Sequence, residues 1–250
     1  MKTTKNSPQN SAVSRRQFLK TAGAASLAAA SATSLAAALP SSGLAADAAA
    51  GSQTMPKRKL GKTGADVPIL ALGGMFDTIN NQLLLKQAHA WGVTYWDTAE
   101  AYGNGLSEEG YGRYLQRNPD ARKDIFLVTK LVPHGGDDFT TRLDASLKRL
   151  STDHVDLFFV HGVSSIDEAA KYKDWAAEMK KAGKIRSFGF SSHSNMEDSM
   201  MGAAKLDFID AIMVAYNYRL MRTQKMREAL DACAKAGIGV VAMKTQGGGP

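Results

Sequence analysis

A chain of 250 residues, 44% of them hydrophobic and 22% charged, is long enough to bury one sizeable core. Its formal charge of +7 does not argue for a nucleic-acid partner. Lys2, Lys5, Arg15, Arg16 and Lys20 fall before residue 45 with no acid among them, which leaves +2 for the remainder.

The first segment, residues 1–48, reads as a signal peptide and linker. Ser14-Arg15-Arg16-Gln17-Phe18-Leu19-Lys20 is a twin-arginine signature, followed by an Ala-rich apolar stretch over 22–39, Pro40 and small residues, with cleavage expected after Ala45 or Ala48. The stretch is interrupted by Ser and Thr and poor in Leu and Ile, so it falls short of a membrane span. The expectation is export to the periplasm by the twin-arginine route, with that export machinery as a partner. Cys233, the single cysteine, excludes an internal disulfide or a cysteine-based metal cluster within the chain. A disulfide-free protein suits a route that carries folded cargo, and Cys233 itself, in an Ala-rich helical pattern, reads as a buried structural thiol.

Residues 55–250 form the expected folded domain. Residues 56–64 are basic and Gly-punctuated and predict a turn or short hairpin. Strands are predicted over 67–72, 93–96, 125–129, 155–160, 185–190, 208–215 and 238–243. Helices are predicted over 80–91, 107–117, 138–150, 167–182, 194–204 and 223–236. Leu143, Leu147 and Leu150 give the third helix its apolar stripe. Ser107 is the expected N-cap of the second helix, which carries Gly110 at a close-packed turn, and Gly237 ends the last. The strands are nearly continuous apolar runs, as parallel strands buried on both faces require. Strict alternation of strands and helices, without a GxGxxG after the first strand, predicts an α/β fold of the (β/α)8 TIM-barrel type. Seven strands are one short of eight, and the chain stops at Gly247-Gly248-Gly249-Pro250, so the barrel is expected to be incomplete at its C-terminus.

Asp97, Tyr102, Lys130 and His161 sit at or just past the ends of three successive predicted strands. Parallel neighbours would gather all four at the C-terminal sheet edge, where barrels of this type hold their active sites. An acid, a phenol, an amine and an imidazole together suit proton transfer. His89, His134, His154 and His193 show no shared metal spacing and read as structural or loop residues. No metal site is expected.

Trp96-Asp97-Thr98-Ala99-Glu100-Ala101-Tyr102-Gly103, Val128-Thr129-Lys130, Asp153-His154-Val155-Asp156-Leu157 leading to His161, and Gly183-Lys184-Ile185-Arg186-Ser187-Phe188-Gly189 together resemble the aldo/keto reductases over residues 55–249. The resemblance implies reduction of an aldehyde or ketone with NADP, or alternatively NAD, as cofactor. It implies Tyr102 as general acid, Lys130 as the cation beside it, Asp97 as the partner of Lys130, and His161 as the group that orients the substrate carbonyl. A free phenol ionises near ~10, and a nearby cation favours phenolate. For the cofactor it implies Ser191, Ser192, Tyr216, Lys244 and Gly247. Ser191-Ser192 stands where the family often has Ser-Asn, and Met213 where it often has Gln. Two rival readings carry the same barrel: an exported oxidoreductase partnered with an iron–sulfur electron carrier, and a non-catalytic binding relative with an incomplete cofactor site.

Overall fold

A computed structural model describes residues 55–134 and 138–247. The export segment at residues 1–48 lies outside the described residues, as do Gly248 and Gly249. The predicted hairpin is present: β1 (Lys57–Lys59) pairs antiparallel with β2 (Asp66–Pro68) around a 3-10 turn at Gly61–Thr63.

Seven parallel strands follow, each bonded to the next in chain order: β3 (Ala71–Gly73), β4 (Tyr95–Asp97), β5 (Phe126–Leu131), β6 (Val155–Val160), β7 (Ile185–Ser192), β8 (Ala211–Ala215) and β9 (Gly239–Met243). This is the strand order of seven successive units of a (β/α)8 barrel. The helices are α1 (Gln82–Ala90), α2 (Leu106–Arg117), α3 (Ala121–Asp124), α4 (Phe139–Leu150), α5 (Ile166–Ala170), α6 (Lys173–Lys181), α7 (Met196–Ala203) and α8 (Gln224–Lys235). Between residues 67–71 and 238–242, at the two edges of the sheet, opens a cleft of about 750 Å³.

Three expected elements differ. The strand expected over 67–72 is two strands. Ile69 donates its N–H to Pro56 in the hairpin at 2.9 Å, and the chain then bends so that Ile69 and Leu70 are exposed before β3 joins the parallel sheet. The helix expected over 167–182 breaks at Lys171 and Tyr172, where Tyr172 bonds back three residues to Ala169 and its ring stacks on Phe139 at 4.3 Å. The Ser107 cap is replaced. Helix α2 begins at Leu106 after Gly105, whose φ of 90° needs no side chain, and Ser107 points inward from the first turn. Asp138 does cap α4, accepting from the N–H groups of Thr140 and Thr141.

Alternation along the strands divides the core into two layers. Tyr95, Val128, Leu157, Phe159, Ala211 and Met213 pack inside the curved sheet with Leu60 and Val67 of the hairpin. Trp96, Leu127, Phe158, Phe188, Ile212 and Val214 face the helices. Helix α2 lies close to the first loop: a Cβ on Gly110 would stand 2.0 Å from Thr78 Oγ1, and Gln82 Nε2 donates to both the Thr78 and Gly110 carbonyls at 2.9 Å.

Candidate active site

The register explains why four residues far apart in sequence meet. Asp97 pairs with Val128, Lys130 lies two residues beyond Val128 and pairs with Phe159, and His161 lies two beyond Phe159. Steps of two keep each side chain on the inner face, as Tyr95, Val128 and Phe159 already show. Asp97, Lys130 and His161 therefore climb one edge of the sheet on its inner side.

Lys130 is buried; its ammonium donates to Asp97 Oδ2 at 2.6 Å and to the Thr98 carbonyl at 2.8 Å, and faces the Tyr102 hydroxyl at a longer 3.4 Å. The ammonium also lies 4.9 Å from the Tyr102 ring centroid. Burial pushes the Asp97 carboxyl up from its usual range, opposed by the adjacent ammonium. Its second oxygen, Oδ1, is buried without a hydrogen-bond partner among the described residues. The Tyr102 ring meets His161 edge to face, with centroids 5.7 Å apart. The His161 imidazole is pushed down to about 4, first by burial, then by the charges of Lys130 and His193. It is therefore neutral at pH 7, and its Nδ1 is buried without a hydrogen-bond partner among the described residues.

Tyr102 sits on a loop of unusual backbone. Gly103, Asn104 and Gly105 follow it with φ of 61°, 53° and 90°, a left-handed run that glycine tolerates and asparagine accepts more readily than most residues. The loop is tied back by Tyr102 N–H to the Ala99 carbonyl and by Ser107 N–H to the Tyr102 carbonyl. Ser107 Oγ lies 2.7 Å from Thr98 Oγ1 and donates to the Gly74 carbonyl, joining the ends of β3 and β4.

The residues expected to hold a cofactor are not all equivalent. Ser191 is on the inner face, and its Oγ accepts the N–H of Gly162, the residue after His161, with no acceptor for its own hydrogen among the described residues. Ser192, one residue on, faces the opposite way, and its hydroxyl is engaged with the Val163 and Ser194 carbonyls. Tyr216 follows β8 and packs partly buried against the helix-facing layer, its N–H bonded to the Met243 carbonyl. Lys244 and Gly247 belong to one turn past β9, with φ of 54° and 70°, closed by the Gly247 N–H on the Lys244 carbonyl. Met213 registers with Ser191 and presents a thioether to the interior.

Sequence reasoning missed two groups. His193 is electrostatically part of the site: burial, Lys244 and Lys130 all lower it. Behind the site, Glu108 of α2 is fully buried, accepting from Thr129 Oγ1 at 2.5 Å and from Arg149 Nε at 2.7 Å, while Glu100 pairs with Arg142. The one signal for the latter is spacing: Arg142 and Arg149 are seven residues apart on α4, two turns along one helical face.

Among the described residues no His, Cys, Asp and Glu group is placed to hold a metal ion, and no helix is long and apolar enough to cross a membrane. Cys233 is buried, its thiol pushed up to about 11 by desolvation.

Comparison with known proteins finds relatives of one family. An aldo-keto reductase of Schizosaccharomyces pombe whose name carries NADP(+) is 30% identical over 78% of this chain and 62% of its own length. D-threo-aldose 1-dehydrogenase of a Pseudomonas species is 29% identical over 68% of this chain and 62% of its own. Among solved structures, the holo form of an aldo-keto reductase from Bacillus halodurans superposes with a TM-score of 0.64 at 28% identity, covering 75% of this chain and 65% of that one. An aldo/keto reductase from Klebsiella pneumoniae in complex with NADP and acetate gives 0.59 at 25% identity, covering 76% and 68%. The chain thus spans about 62% of the length of those two curated relatives. Residues 72–250 match the aldo/keto reductase family, and with the Asp97, Tyr102, Lys130 and His161 cluster at the strand ends, the chain belongs to that family.

Proposed function

We propose that the protein is an NADP-dependent oxidoreductase that reduces an aldehyde or ketone to an alcohol, with NAD as the alternative cofactor. The observation that carries this reading is the Lys130 ammonium, held by Asp97 at 2.6 Å and facing the Tyr102 hydroxyl at 3.4 Å. Tyr102 donates its phenolic proton to the carbonyl oxygen, and the phenolate left behind stands beside a fixed cation. Asp97 and the Thr98 carbonyl hold the Lys130 ammonium in place. His161, neutral and partly buried, orients the carbonyl oxygen without adding a charge to the site.

NADPH, when bound, supplies the hydride to the carbonyl carbon. Ser191 and Met213 on the inner face, with Tyr216 and the turn from Lys244 to Gly247 past the strand ends, are the residues we assign to hold it. Ser192 contributes no free hydroxyl hydrogen. The relative from Schizosaccharomyces pombe carries NADP(+) in its name, which favours the phosphorylated cofactor. The full-length protein tests this reading directly: NADPH should quench its intrinsic fluorescence and support carbonyl reduction, and absence of both would refute it.

Residues 14–20 support a further part of the reading, export by the twin-arginine machinery to the periplasm, with residues 1–48 as signal and linker. Replacing Arg15 and Arg16 together by Lys should leave the protein in the cytoplasmic fraction. Unchanged periplasmic recovery would overturn the export reading and leave the catalytic one intact.

A further inference from the structure

The segments that carry the two halves of the proton donor are joined from behind by a single guanidinium. Arg142, on the first turn of α4, donates through Nη1 to the Val132 carbonyl at 3.0 Å, just past the end of β5 and two residues beyond Lys130. Through Nε, at 3.2 and 3.3 Å, and Nη2 it holds both oxygens of Glu100. Glu100 lies on the loop between β4 and Tyr102, and its own N–H donates to the Lys130 carbonyl at 3.1 Å. One planar fork thus ties the end of β5, which carries Lys130, to the loop that carries Tyr102. Arg142 reaches neither reacting group itself.

A second tie runs parallel to the first. Arg149 binds Glu108, and Glu108 accepts from Thr129, the neighbour of Lys130. The Arg149 stem also packs against Gly105, where a Cβ would come within 2.7 Å of its Cδ. Glu108 is fully buried and Glu100 and Arg142 mostly so, which keeps these pairs less screened than surface ion pairs. The contact they support is delicate. At 3.4 Å the Lys130–Tyr102 separation exceeds the usual ~2.7–3.2 Å of a formed hydrogen bond, so a small shift of either segment changes it substantially.

Resting on the proposed proton donation by Tyr102, we infer that Arg142, acting through Glu100, is a positioning residue that sets the Lys130–Tyr102 distance and with it the rate of proton delivery. Only a bidentate guanidinium satisfies the Val132 carbonyl and both Glu100 oxygens together; a lysine ammonium is a point charge and replaces the fork in part.

The test compares the full-length protein with Arg142→Met, Arg142→Lys and Tyr102→Phe, using NADPH and 4-nitrobenzaldehyde within a panel of aldehydes. NADPH titration counts binding-competent sites, so that rates are expressed per folded molecule. Arg142→Met should lower kcat by about 10–100-fold, as misplacement of a catalytic group does, with KM and the NADPH dissociation constant changed less than about 2-fold. Arg142→Lys should recover part of the loss, and added guanidinium ion should raise kcat in Arg142→Met. A kcat per folded molecule within 2-fold of wild type, or a loss that neither Lys nor guanidinium relieves, overturns the inference while leaving the reductase reading in place. Failure of the wild type to reduce any aldehyde, or wild-type turnover by Tyr102→Phe, marks failure of the underlying reading, and the inference falls with it.

Discussion

The Lys130 ammonium stands 2.6 Å from the Asp97 carboxylate inside the sheet, and both side chains are nearly withdrawn from water. Such a pair gives up two hydration shells, and breaking it by removing one partner leaves the other charge uncompensated. Asp97→Asn is therefore expected to cost about 3–5 kcal/mol of stability, read as a lower midpoint in urea with unchanged slope. Replacing both residues by apolar ones of similar size, Asp97→Leu with Lys130→Met, should recover much of that stability while abolishing turnover. A single variant as stable as wild type would show the pair is more solvated than its burial indicates.

Tyr102 separates chemistry from folding. Among the described residues its hydroxyl meets only the Lys130 ammonium, at 3.4 Å, so Tyr102→Phe removes an acid without opening a cavity. Carbonyl reduction should fall by about 10²–10⁴-fold, the range of positioned acid–base groups, while NADPH binding and the melting temperature stay close to wild type. Normal turnover in this variant would remove the assigned role.

Much of the fold is legible in the sequence. The apolar runs located the parallel strands, and period-two alternation with register accounts for Asp97, Lys130 and His161 sharing an inner face. The same alternation, applied strictly, also assigns Ser191 and Ser192 to opposite faces, which matches the structure: Ser192 bonds the Val163 and Ser194 carbonyls instead of facing the interior. The break at Ile69 and Leu70 was hidden because an apolar run has no period to show where one strand ends and the next begins. The Glu100–Arg142 and Glu108–Arg149 pairs are 42 and 41 residues apart in sequence, and the spacing of the two arginines along one face of α4 shows that they act together without naming their partners.

Gly110 illustrates a constraint set by close approach and not by backbone dihedral. Helix α2 presses on the first loop so tightly that a methyl there would meet Thr78 Oγ1 at 2.0 Å and its backbone carbon at 2.6 Å. Alanine favours helices intrinsically by about 1 kcal/mol over glycine, but overpacking of this severity costs about 1–3 kcal/mol or more. The clash with backbone cannot be relieved by rotating a side chain, so the net sign is destabilising. Gly110→Ala should lower thermal stability and, because Thr78 anchors the loop beside Tyr102 through the Leu106 and Ser107 carbonyls, should also reduce turnover. A gain in melting temperature would show that α2 can move away at little cost.

His161 makes stability depend on pH in a defined direction. Its folded value is about 4, against an ordinary 6.5, with burial the first cause and the Lys130 and His193 charges following. Between those values the unfolded chain binds a proton that the folded chain refuses, so unfolding becomes easier as pH falls. The stabilising contribution is complete above pH 6.5 and is lost as pH drops toward 4. At pH 5 one such group contributes a slope of about 1 kcal/mol per pH unit. His161→Gln, which cannot titrate, should flatten that part of the stability profile between pH 6.5 and 4 while the carboxylate-driven loss at lower pH persists. The measurement is urea denaturation at half-unit intervals in wild type and variant. Two profiles with the same slope across that window would mean that His161 is as free to protonate in the folded protein as in the unfolded chain, and that the neutral imidazole assigned to the site is wrong.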